Sequence, residues 1–328
     1  VSATLHLVGP GHVGRSFLRQ LAPLPVRVVA VSDASATAYA RDGLPLDALC
    51  AHKAAGRSLA DWPGAERIPT AVALRVVAAD VVADATPTRE AEADAAVARA
   101  LLALRLGGRV VLSAKNALAV AATTLLLGPD RDRVGVDGVL GGAGAAIVAD
   151  LADLRARCRG LAIVGNVTTT VLALAFERGL SVAAGIADAQ ARGLLEPDPT
   201  LDLDGSDAAT KLRAVWGAVF GAPAGPMPVA AAVAREDVRG LDVAALRARA
   251  DRGATTRLVG RGDRVGNLCV RFEELPAGSP LAVPPDRVAY GFELPDGLRV
   301  HVGFGVGYDQ TAAAMVRDVA RLLAVAPS

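Results

Sequence analysis

"ATLHLVGPGHVGRSFLRQL", residues 3–21, passes from an apolar run through a glycine turn into a segment with helical spacing. Ala3 to Val8 has no polar alternation beyond Thr4 and His6, as a strand covered on both faces would. Phe17, Leu18 and Leu21 then fall on one face of a helix. Between them Gly9, Gly11 and Gly14 fit G-x-G-x-x-G, with His12 and Val13 inside the turn. The match gains weight from its setting. A strand precedes it, a helix follows it, and Asp33 ends the next apolar run, "VRVVAVSD", 24 residues after Gly9. Glycines so placed let a pyrophosphate approach the positive end of a helix, while an acidic residue at the end of the second strand accepts from a ribose 2′-hydroxyl. A dinucleotide site is expected. Asp33 would repel a 2′-phosphate, and the next residues bring no base before Arg41, so NAD is favoured over NADP, with Arg15 and Arg41 as the cations NADP would need.

The pattern continues outward. "DVVADAT" (80–86), the Ala-rich helix 89–107 and "RVVLSA" (109–114) alternate strand and helix, which implies a parallel sheet covered on both faces. Beyond residue 133 the texture changes. "RVGVDGVLGGAG" (133–144) runs into a glycine cluster, and 145–157 reads as one helix. "GLAIVGNVTTTVLALAFERG" (160–179) reads as a strand, and 181–198 as a helix leading into an acidic loop. Residues 286–307 form two alternating runs around Pro-Asp-Gly, a β-hairpin, and 309–325 is an amphipathic helix. The expected architecture is α/β, with a dinucleotide-binding domain at 1–133 plus a returning helix within 305–328. An inserted α+β domain occupies 134–304, and "APAGPMP" (222–228) is its longest expected turn.

Composition excludes several classes. A length of 328 residues with 52% hydrophobic content supports two cores, and a net charge of +1 without basic blocks argues against nucleic acid. No apolar run reaches membrane-spanning length, the ten residues 119–128 being bounded by Gly-Pro, and the first residues enter a strand with no charged leader. Cys50, Cys158 and Cys269 are scattered without metal spacing, and a reducing cytoplasmic setting is expected. His6, His12, His52 and His301 lack paired ligands at metal spacing and read as structural, with His12 near the pyrophosphate.

The acidic loop adds the chemistry. "AQARGLLEPDPTLDLDGSDAATKL" (189–212) crowds carboxylates ahead of a helix on which Asp207 and Lys211, four apart, share a face. By spacing alone the two are a surface ion pair. The segment, however, resembles the signature of homoserine dehydrogenases, with Ala189, Gln190, Gly193, Glu196, Asp198, Pro199, Asp202, Gly205, Asp207 and Lys211 in register. "DATPT" (84–88), "LSAKNALA" (112–119) and "GFGVGYDQTA" (303–312) resemble further family segments in the same order.

The resemblance implies a Rossmann domain with an inserted substrate and dimerisation domain, in the short form without a regulatory ACT domain. It also implies NAD(P)-dependent interconversion of homoserine and aspartate 4-semialdehyde by a cytoplasmic homodimer. Glu196 and Asp207 would hold the amino acid with Asp202 in support, Lys211 would be the acid/base, and Lys115 the second cation. Thr86, Pro87 and Gly307 would join the glycine loop around the dinucleotide. The glycine cluster, with Asp137, Leu140, Gly142 and Gly144, would hold a monovalent cation such as sodium.

Departures are visible too. Ser113-Ala114-Lys115-Asn116 exchanges the family's Asn and Lys, which at a strand end would turn Lys115 to the opposite face unless a shifted loop brings it back to the site. Asp137 replaces Glu and Ala145 replaces Pro; Asn166-Val-Thr-Thr-Thr170 loses a glycine, and Leu194 replaces an aromatic. These changes keep two other readings open: a dehydrogenase of another small amino or hydroxy acid, and a non-catalytic dinucleotide-binding homologue.

Overall fold

The computed structural model describes residues 2–195, 199–222, 227–305 and 307–324. The chain divides into two compact units, Val1–Val148 with Gly307–Ser328, and Ala149–Val306. The glycine cluster 134–144 thus belongs with the first unit, so the boundary falls further along the chain than the sequence suggested.

The first unit is built on β1 (Ala3–Val8), β2 (Val26–Ser32), β3 (Thr37–Tyr39), β4 (Val81–Asp84), β5 (Arg109–Leu112) and β6 (Val134–Gly135). Their order is β3-β2-β1-β4-β5-β6, parallel except for the short antiparallel β3. Strand order reverses between β1 and β4, the crevice where doubly wound sheets receive ligands. The helices His12–Gln20 and Tyr308–Ala324 close this core, with Phe17, Leu18, Met315, Val319 and Leu322 packed on Leu5, Leu7 and Val31. The final helix thus belongs to the first unit.

The second unit carries β7 (Gly160–Val164), β8 (Ala234–Arg235), β9 (Ala254–Asp263), β10 (Leu268–Pro276), β11 (Arg287–Leu294) and β12 (Gly297–Phe304), in the order β12-β11-β7-β9-β10-β8. β11 and β12 form the expected hairpin. Gly260 and Gly262 of β9 leave room for Leu212 of the helix Ser206–Val219, so that helix lies close on the sheet.

Three local readings change. The stretch 160–179 is β7 followed by a helix, Val167–Glu177, because Asn166 caps the turn by accepting from Thr169 N–H at 2.9 Å. The helix expected at 145–157 is two, Gly144–Ala149 and Leu151–Arg157, parted at Asp150. Lys115 opens a helix, Lys115–Leu127, where the sequence suggested a strand end. The expected turn at 222–228 falls largely outside the described residues, as do Glu196 and Asp198 of the acidic loop.

Candidate active site

In the first unit, a candidate nucleotide site lies at the carboxyl ends of β1 and β4. Gly9 has φ +92°, and a Cβ there would stand 2.7 Å from the backbone of Ala85 and Thr86. A Cβ on Gly14 would collide with the carbonyl of Gly9. Gly11 faces open space and caps a helix with no acidic residue in its first turn and no side-chain cap. The two outer glycines hold the turn tight while the middle one leaves the helix N-terminus accessible, a cradle that fits a pyrophosphate. Val13 turns inward to the core, and His12 stacks on Tyr308 at 4.7 Å between ring centroids. Gly307, with φ +107°, precedes that last helix, and Asp309 two residues on receives the Ser16 hydroxyl.

On the β4 side, buried Asp84 accepts from Thr86 N–H at 3.0 Å and from its hydroxyl at 2.6 Å, while Arg99 pairs with the other oxygen at 2.8 Å. Thr86 is thereby fixed beside Gly9, and Pro87 is exposed. The sequence placed Asp84 next to the site without a role and passed over Arg99, whose partner is fifteen residues away.

Asp33 ends β2 as expected, but its surroundings correct the reading that no base stands near it. Lys53 Nζ lies 2.6 Å from Asp33 Oδ2, with Leu59 N–H on the same oxygen at 3.1 Å. Ser35 donates to Oδ1 through N–H at 2.8 Å and through its hydroxyl at 2.5 Å. Burial alone would push this carboxyl up, but Lys53, Ser35 and Leu59 outweigh it and hold the group well below the usual carboxylate range. Arg15 donates to the Lys53 carbonyl at 3.3 Å, whereas Arg41 is exposed.

Lys115 donates its backbone N–H to Thr88 Oγ1 at 3.1 Å and is half-buried. Asn116 is buried, with its amide on the Arg89 carbonyl at 3.2 Å. On a helix, one residue is a turn of about 100°, so the exchange rotates Lys115 away from Asn116 rather than flipping it to the opposite face.

Asp137 is buried, with Oδ1 accepting from Ala145 N–H at 2.9 Å and Oδ2 paired with Arg317 at 3.1 Å. Gly142 N–H donates to the Asp137 carbonyl at 2.8 Å, Leu140 is buried, and Gly144 lies tight against Val136. The turn is thus closed by its own bonds, and Arg317 answers the Asp137 carboxylate. Among the described residues no cluster of three His, Cys, Asp or Glu could hold a metal.

A separate cluster of charged residues lies wholly within the second unit. Lys211, buried on the helix Ser206–Val219, donates to the Gly165 carbonyl and lies 3.1 Å from Asp207 Oδ2. Asn166 joins two carboxylates, donating to Asp202 at 3.0 Å and to Asp207 at 3.2 Å. Asp207 sits in the first helical turn, where the helix dipole favours its charge. The bland surface-pair reading fails, because Lys211 is buried and both residues join a network from three segments. Asn166, quoted in the sequence without a role, is the hub.

The model of the homoserine dehydrogenase family matches residues 148–320. The chain belongs to the homoserine dehydrogenase family. Residues 2–119 also match the glutamate/leucine/phenylalanine/valine dehydrogenase family, in keeping with the dinucleotide-type first unit. A homoserine dehydrogenase of Methanocaldococcus jannaschii is 28% identical over 89% of this chain and 88% of its own length. An NAD(+)-dependent homoserine dehydrogenase of Pseudomonas canavaninivorans is 26% identical over 96% of this chain and 94% of its own. A hyperthermophilic archaeal homoserine dehydrogenase, solved with NADPH, superposes with a TM-score of 0.79 at 22% identity, covering 100% of this chain and 99% of that one. That likeness bears on the fold, which this homoserine dehydrogenase family member shares.

Proposed function

We propose that the chain catalyses the NAD(P)-dependent interconversion of L-homoserine and L-aspartate 4-semialdehyde, a step toward threonine and methionine. The cluster of Lys211, Asp207, Asn166 and Asp202 carries this reading, since a buried lysine among carboxylates suits a zwitterion with a hydroxyl to be oxidised. A bound nicotinamide supplies the acceptor for the hydride that leaves C4. Lys211, in its neutral form, takes the hydroxyl proton, and the resulting ammonium is met by Asp207 and the Gly165 carbonyl. Reduction runs the same transfer backwards. Asp202 and Asp207, with Glu196 of the adjoining loop, receive the substrate ammonium through charge-assisted hydrogen bonds.

NAD is the favoured cofactor, because a 2′-phosphate would have to sit beside the Asp33 carboxylate. Lys53 gives NADP a foothold there. Lys115 is proposed as the second cation of the site. The chain acts as a homodimer, a reading supported by the outermost strand β12, which leaves Leu298, Val302 and Phe304 exposed. A cytoplasmic setting is supported by three free cysteines, Cys50, Cys158 and Cys269, and among the described residues no helix is long and apolar enough to cross a membrane.

The test is reduction of NAD or NADP by the purified chain with homoserine, repeated with serine and threonine. Lys211→Ala should lower kcat by about two to four orders of magnitude while cofactor affinity holds. Near-full turnover in that variant would remove Lys211 from the chemistry.

A further inference from the structure

Tyr290 has no exposed surface, and its hydroxyl has no hydrogen-bond partner among the described residues. A buried hydroxyl in that condition disfavours folding and asks for an explanation. Its place in the sheet supplies one. Tyr290 of β11 pairs with Ile163 of β7, and Ile163 with Gly260 of β9, so the three project to one face. The helix Ser206–Val219 covers that face, Leu212 standing 3.4 Å from where a Cβ on Gly260 would be. A Cβ on Gly165 would lie 3.3 Å from both Ile163 Cγ2 and Lys211 Cδ. The tyrosine ring therefore enters the layer that holds Lys211 and Asp207, one strand from the lysine stem. Burial pushes its pKa up and the Asp207 charge adds to that, so the hydroxyl remains a donor at any working pH.

We propose that Tyr290 is a positioning residue for the acid/base pair, its hydroxyl donating to Asp207 when Lys211 turns from that carboxylate to the substrate oxygen. The inference rests on the homoserine reading of the site. At rest Asp207 Oδ2 is met by Lys211 at 3.1 Å and by Asn166 at 3.2 Å. To accept a proton, Lys211 must be neutral and must aim its lone pair at the substrate, which takes its own ammonium off Asp207 and leaves that carboxylate to Asn166 and the incoming substrate ammonium. A donor from the sheet side then keeps the carboxylate ionised and in place. Among the described residues, the groups around the pair include Asp202, Asn166 and the Gly165 carbonyl, with the Tyr290 ring in the same layer. Without the hydroxyl, Asp207 draws more strongly on a protonated Lys211, and deprotonation is postponed to higher pH.

Tyr290→Phe removes one oxygen and keeps the ring. Homoserine oxidation should then show kcat/KM lowered about ten-fold, with its ascending pH limb moved up by roughly half to one unit. Cofactor KM should hold, and Tm should stay or rise because an unpaired buried hydroxyl is gone. If the wild type oxidises homoserine and the variant matches it in rate and pH limb, the positioning role falls while the homoserine reading stands. If the wild type leaves homoserine untouched, both fall.

Discussion

Lys53 and Asp33, twenty residues apart in sequence, meet at 2.6 Å with both side chains largely buried at the end of β2. The carboxylate that would bind a ribose hydroxyl thus carries its own cation. Lys53→Ala should weaken NADP about ten-fold or more, the loss expected for one charge-assisted contact to a phosphate, and leave NAD within about three-fold. Titrating each reduced cofactor by fluorescence checks this. Equal losses for both cofactors would mean Lys53 only shapes the loop.

Lys115 and Asn116 should separate cleanly. Asn116 is buried on the Arg89 carbonyl, so Asn116→Ala should lower stability by about 1–3 kcal/mol. Lys115→Ala should leave Tm nearly unchanged and depress kcat/KM, with its pH limb displaced upward as a neighbouring positive charge is removed. Denaturant melts and pH–rate profiles of the two variants decide it. A Lys115→Ala enzyme with wild-type kinetics would take that residue off the site.

His6 gives the first unit a definite acid sensitivity. Burial lowers its pKa from 6.5 to about 4, with Nε2 on Ser32 Oγ at 2.7 Å. As pH falls below 6.5 the unfolded chain binds a proton that the folded imidazole refuses until about 4, so stability is full above that window and drops within it. The slope from this one group approaches about 1.4 kcal/mol per pH unit. His6→Gln should flatten the decline of Tm between pH 6.5 and 4.5. An unchanged slope would assign the acid sensitivity to other groups.

The glycine loop was legible because its chemistry is local: strand, turn and helix are contiguous, and Asp33 closes the next strand. Lys53 was not, since only the fold brings its helix to the end of β2. The stretch 167–177 was mistaken for strand because Val167, Thr168, Thr169, Thr170 and Val171 are β-branched, and tertiary burial with the Asn166 cap overrides that preference. β9 and β10 went unread because Arg257, Gly260, Arg261 and Gly262 interrupt their alternation, although the structure pairs Arg261 with Glu273 across the sheet at 2.6 Å. The signature placed Asp207 and Lys211 correctly on one helix face. It could not show that Asn166 joins Asp202 to Asp207, because that contact reaches across from the cap of another helix.

The most direct measurement uses homoserine dideuterated at C4, incubated with the wild-type chain and oxidised cofactor. The account expects one deuterium from C4 on the reduced nicotinamide, the other kept in the aldehyde, and a Lys211→Ala enzyme that does this about a hundred-fold or more slowly. Reduced cofactor without deuterium, or no reduction at all by a folded enzyme, would contradict it.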